Sequence, residues 1–81
     1  MGNLQRLQQS FRQGLALPPA FDVTKADSSH LRQWDSVAHL QLVIAIEDAF
    51  AVRLSPADVI ELKSYAAAID ILRRHGVWRD A

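Results

Sequence analysis

Residues 34–50 read WDSVAHLQLVIAIEDAF. Two good helix-capping residues, Asp35 and Ser36, precede a run of aliphatics with no glycine or proline, so the segment reads as a helix over 36–50. At about 100° per residue, Leu42, Val43, Ile46, Ala49 and Phe50 share an arc of about 120° and form a core stripe. Val37, Leu40, Gln41, Ile44, Glu47 and Asp48 share the opposite side, where aliphatics are flanked by acids. Two readings follow. Either the helix is central and buried all round, or its second face is exposed to dock a partner. In a chain of 81 residues the core is thin, which favours the exposed face.

Helical period continues on both sides. Leu4, Leu7, Phe11 and Leu15 form one apolar stripe among Gln and Arg, predicting a helix over about 3–17 that Pro18 and Pro19 stop. Residues 18–35, rich in Pro, Asp, Ser and Thr, form a long loop with room for helical turns. Phe21 and Leu31 are expected to pin it over the core, with Val23 a further isolated apolar residue. Downstream, Ser55-Pro56-Ala57-Asp58 is a strong helix start and predicts a short helix over 56–62. Ser64 caps a last helix over 65–75, with Tyr65, Ala68, Ile69 and Leu72 as its buried stripe. Gly76 ends it, after Arg73, Arg74 and His75 at the negative end of the helix dipole. No alternating run suggests a strand. The expected fold is one all-α domain over 1–81, a small bundle of three main helices and one short helix with a long first loop.

Composition narrows the function. Nine Lys and Arg balance nine Asp and Glu, which disfavours a nucleic-acid binder and an acidic disordered tail. The basic end formed by Arg73, Arg74, His75 and Arg79 reads as a solvated, dipole-compensating helix terminus. Charge is unevenly spread, since residues 35–61 hold Asp35, Glu47, Asp48, Asp58 and Glu61 against Arg53 alone. The second and third helices are therefore expected to form an acidic patch that attracts basic partner surfaces. The chain has no cysteine, hence no disulfide or thiolate metal site, which suits a cytoplasmic location. His30, His39 and His75 lack metal-ligand spacing, so no metal is expected. The longest apolar run, residues 42–46, is too short to span a membrane. Residues 1–14 are too polar for a signal peptide. Ser36 and His39 are three apart and could touch, but Asp35 is badly placed to orient the imidazole as a hydrolase would need. His39 falls toward the core arc and reads as a half-buried structural histidine. No enzymatic activity is expected.

The wider pattern is Asp35-Ser36-Val37, then Leu40, Leu42, Val43, Ile46-Glu47 and Phe50, then a Ser-Pro-capped short helix, then Ser64 and an Ala/Ile-rich last helix. Over about half of the chain, from Trp34 to His75, it resembles the acyl carrier proteins. The resemblance implies a carrier on which Ser36 is esterified by 4′-phosphopantetheine, donated by coenzyme A through a phosphopantetheinyl transferase. Cargo would be held as a thioester on the arm. Asp35 matches the aspartate that helps the transferase hold magnesium. Val37 stands where the family has leucine. Val37, Leu40, Gln41, Ile44, Glu47 and Asp48 would meet the enzymes that load and consume the acyl group, through basic docking surfaces. Uncharged His39 and Gln41 and the zero net charge depart from strongly acidic fatty-acid carriers and point to a specialised biosynthetic pathway, fatty or polyketide in type. Aspartate before the serine favours the acyl type over the alternative aminoacyl or peptidyl carrier. A further alternative is a helical adaptor that uses the same face without a prosthetic group. Independently of the resemblance, a serine at a helix start offers its hydroxyl to water beside unsatisfied N–H groups, where a phosphate is favoured.

Overall fold

The computed structural model describes residues 2–78. Four α-helices follow one another: α1 (Asn3–Leu15), α2 (Ser36–Phe50), α3 (Pro56–Glu61) and α4 (Tyr65–Arg74). A single 3-10 turn, Val23–Lys25, interrupts the first loop. No strand is formed among the described residues, only an isolated bridge between Asp27 and Ser64. The expected all-α bundle of three main helices and one short helix is what the chain adopts. It is only 18 Å through its thinnest dimension, about two helix diameters. Each helix can therefore bury one face and must leave the other in water.

The buried faces follow the sequence pattern closely, with two exceptions. Leu7, Phe11 and Leu15 of α1 are fully enclosed, whereas Leu4 lies outside the core and is exposed. On α2 the buried residues are Leu42, Val43, Ile46 and Phe50, with Ala49 packed at the margin. On α4 they are Tyr65, Ala68, Ile71 and Leu72. Ile71 thus takes the place expected for Ile69, which is half-buried. The two are about 200° apart around the helix, and the rotation of α4 against the core decides between them. Each large side chain so enclosed contributes about 1.5–3 kcal/mol relative to exposure. The Tyr65 ring packs edge-on against Phe11 at 5.4 Å. Its buried hydroxyl finds no hydrogen-bond partner among the described residues.

The closest packing is between α1 and α2. A Cβ added at Gly14 would lie 2.5 Å from the Cα of Leu42, so only glycine permits this crossing.

The first helix stops before the prolines expected to stop it. Ala16 takes a left-handed conformation (φ 52°), and the N–H groups of Ala16 and Leu17 both bond to the carbonyl of Arg12. Leu17 is thereby folded back into the core. Ala51 (φ 53°) ends α2 in the same way, with the N–H groups of Ala51 and Val52 on the carbonyl of Glu47. These are helix ends that glycine ordinarily provides. At the end of α4 glycine is used: Gly76 has φ 75°, and Val77 bonds back to Leu72.

The first loop is held by burial and by backbone. Val23, Ala26 and Trp34 are buried, and Phe21 and Leu31 pack partly against the core, so Val23 is a deeper anchor than either residue expected to pin the loop. Ser28 N–H bonds to Lys63 O at 2.8 Å, and Tyr65 N–H bonds to Ala26 O at 3.1 Å. These two bonds fasten the loop to the start of α4.

Candidate functional site

Asp35 is the N-cap of α2. Its Oδ1 accepts from the N–H of Ala38 at 2.8 Å, and its carbonyl accepts from the N–H of His39. Ser36 is therefore the first helical residue rather than the cap. Its side chain is exposed, and its hydroxyl makes no hydrogen bond among the described residues. The N–H groups of Ser36 and Val37 have no partner among the described residues and stand at the positive end of the α2 dipole. Only one oxygen of Asp35 is used in the cap, and the residue is solvent-exposed.

An open groove of about 420 Å³ runs beside Ser36. Trp34, His39, Ile60 and Leu62 line it together with Ser28 and Lys63. Trp34 is nearly buried, and its ring meets Phe11 edge-on at 5.8 Å. Its indole N–H donates to Nδ1 of His39 at 2.8 Å. Because an indole N–H can only donate, Nδ1 must be the unprotonated nitrogen. Nε2 then carries the hydrogen and donates to the carbonyl of Val59 at 2.7 Å. His39 is structural, as its position on the core arc suggested. Both of its nitrogens are engaged, and neither is free to accept the proton of Ser36.

The second face of α2 is open. Val37 is 69% exposed, Leu40 59% and Ile44 46%, which decides against a helix buried all round. Gln41 and Asp48 lie on this face and are exposed. Ile60 of α3, 70% exposed, extends the apolar surface past the groove. Sequence reasoning missed Ile60, because α3 is too short for a periodic stripe to separate it from half-buried Val59.

The acids expected to form a patch on α2 and α3 are largely spoken for. Glu47 Oε2 accepts from the N–H of Leu54 at 2.8 Å and holds the turn after α2. Asp58 completes a reciprocal cap with Ser55. Asp58 also bonds His75 Nε2 at 2.7 Å and lies 3.8 Å from the Arg74 guanidinium. Arg74 bonds Glu61 as well. The hydrogen bond from His75, then that from the Ser55 N–H, hold the Asp58 carboxyl below its usual range. The Glu61 contact raises the Arg74 guanidinium above its usual value. The basic end of α4 is thus a clasp onto α3 rather than a merely solvated terminus, and the acidic patch shrinks to Asp35 and Asp48. Arg79, assigned to that basic end, lies outside the described residues.

Among the described residues, no helix is long and apolar enough to cross a membrane, and no three His, Asp or Glu side chains gather as a metal site requires. No family model, curated protein or solved structure matches the chain.

Proposed function

We propose that this chain is a carrier module that bears 4′-phosphopantetheine on Ser36 and presents acyl groups to partner enzymes. The observation that carries the reading is the setting of Ser36. An unbonded, exposed hydroxyl stands at the first turn of α2 beside a groove large enough to receive a slender arm. The residues fit the group. Two free N–H groups and the helix dipole favour a phosphate at that oxygen. The uncapped oxygen of Asp35 is available to a transferase. When bound, the group supplies the thiol that holds cargo as a thioester, which the cysteine-free chain lacks. The chain itself supplies position and recognition. The apolar face of Val37, Leu40 and Ile44, continued by Ile60 and edged by Gln41 and Asp48, flanks Ser36 and would seat the partner. Glu47 supports that face from within the fold. Partner surfaces that match it combine an apolar centre with a few basic residues.

The test is incubation with coenzyme A and a broad-specificity phosphopantetheinyl transferase, followed by intact-protein mass spectrometry. Wild type should gain one arm and Ser36→Ala none. An unmodified wild type, or a modified Ser36→Ala, would overturn the assignment. Partner binding and cellular activity that survive Ser36→Ala would favour the adaptor instead.

A further inference from the structure

Resting on the carrier reading, we infer that the tethered group rides in the surface groove beside Ser36 and not inside the bundle, and that Trp34 is the residue that excludes it from the core. The cargo class that suits this arrangement is short acyl groups bearing oxygen.

Trp34 stands both in the wall of the groove and in the core behind it. The residue is itself only 8% exposed. It is held on two sides, by the edge contact with Phe11 and by the hydrogen bond to His39. Behind it, Phe11 packs on Tyr65, so three aromatic rings in succession fill the space between α1, the loop and α4. Moving Trp34 aside would break the indole–imidazole bond and leave a buried donor and acceptor without partners. An acyl chain that stays outside finds no enclosed apolar surface, so added methylenes gain little from burial.

The groove rewards a different chemistry. Its apolar side is Trp34, Ile60 and Leu62, while Ser28 and Lys63 give it a hydroxyl and an ammonium. Lys63 makes no ion pair or side-chain hydrogen bond among the described residues, so its charge is available. A carbonyl, hydroxyl or carboxylate on a short cargo can meet these groups, and a plain alkyl chain cannot.

The experiment loads wild type with acetyl, octanoyl or malonyl arms from the matching coenzyme A thioesters, using a broad-specificity transferase. Mass spectrometry first verifies the load. Thermal unfolding and ¹H–¹⁵N and methyl NMR spectra of each form follow. Acetyl and octanoyl forms should melt together, and their spectral differences should stay at the groove residues. The malonyl form should shift Lys63 and Ser28 signals relative to acetyl, and Lys63→Ala should remove that difference. In Trp34→Ala the octanoyl form should melt above the acetyl form, because the core is now open to the chain. An octanoyl wild type that melts about 4 °C or more above acetyl, the scale of one buried-contact gain in a domain of this size, would overturn the inference. So would octanoyl-dependent shifts of the Leu42, Ile46, Ile71 or Leu72 methyls. If Trp34→Ala does not fold, the wild-type comparison decides alone. Failure of any arm to load overturns the carrier reading itself, a result distinct from a loaded arm that enters the core.

Discussion

The indole of Trp34 and the imidazole of His39 are joined by a 2.8 Å hydrogen bond, and they lie near-parallel with ring centroids 6.0 Å apart. Through Nε2 of His39 the same contact reaches Val59 of α3. One histidine thus joins the end of the first loop, the first turn of α2 and the short helix beyond. His39→Ala should cost about 2–4 kcal/mol, since it leaves the Trp34 N–H and the Val59 carbonyl unpaired. Trp34→Phe, which strands only Nδ1, should cost about 1–3 kcal/mol. Urea unfolding of both single variants and the double variant checks this. The double should lose less than the sum of the singles.

Ser36 and Asp35 should separate cleanly. Asp35→Ala removes the cap of α2 and should lower stability by about 0.5–2 kcal/mol. Ser36→Ala removes a hydroxyl with no internal bond and should stay within about 0.5 kcal/mol of wild type. Denaturant midpoints of the two variants decide. A large loss in Ser36→Ala would show that the hydroxyl supports the fold.

The exposed face makes a similar contrast within one helix. Leu40→Glu and Ile44→Glu should leave unfolding free energy within about 0.5 kcal/mol of wild type. Leu42→Ala, on the opposite side, should lose about 2–5 kcal/mol. If the chain is the carrier proposed above, transfer of cargo to a partner enzyme should fall in the first two variants although they fold. Unfolding of those variants would assign the face to the core.

Asp58 gives the fold an acid dependence whose sign is fixed. Its carboxyl is held below the ordinary range by the hydrogen bond from His75. A lowered folded-state value means the stabilisation is complete above the unfolded carboxylate pKa of about 3.9 and is lost as pH falls through the folded value. Asp58→Asn should therefore lower stability at neutral pH and flatten the decline at acid pH. Some decline should remain, because Asp22 and Asp27 are also held low by bonds from Thr24 and Ser29. Denaturant midpoints across the acid range, in both proteins, measure it. Parallel curves would refute the assignment.

Ala16 and Ala51 carry positive φ at helix ends where glycine is at ease. Ala51→Gly and Ala16→Gly should each raise stability, by about 0.5–1 kcal/mol after the extra chain entropy of glycine is subtracted. A rise in thermal midpoint for each, without change in the helical circular dichroism signal, is the expected result.

These two alanines also show where the sequence stops being readable. The extent of α2, its Asp35 cap and the Ser55 and Ser64 starts were legible, because capping chemistry is local and strong. The end of α1 was not, because alanine is the best helix former and nothing nearby announces a reversal there. Tertiary burial of Leu17 imposes it. The setting of Ser36 was legible as an exposed hydroxyl at a helix start. The acidic patch was not, because its cancellation depends on His75, seventeen residues from Asp58 in the chain. The groove was equally hidden, since it gathers Ser28, Ser36, Ile60 and Lys63 from three separate segments.

The near-contact of backbones at Gly14 and Leu42 bears on how the molecule can deform. Two long helices seated that closely act as one stiff plate, with little freedom to slide or tilt apart. Breathing then falls first to the six-residue α3, which is tied by the Asp58–His75 and Val59–His39 bonds and buries no large apolar side chain of its own. Its Ile60 lines the groove where Ser36 stands. Amide exchange should accordingly be slow along the crossing of α1 and α2 and faster in α3, which gives the groove one compliant wall on a rigid base.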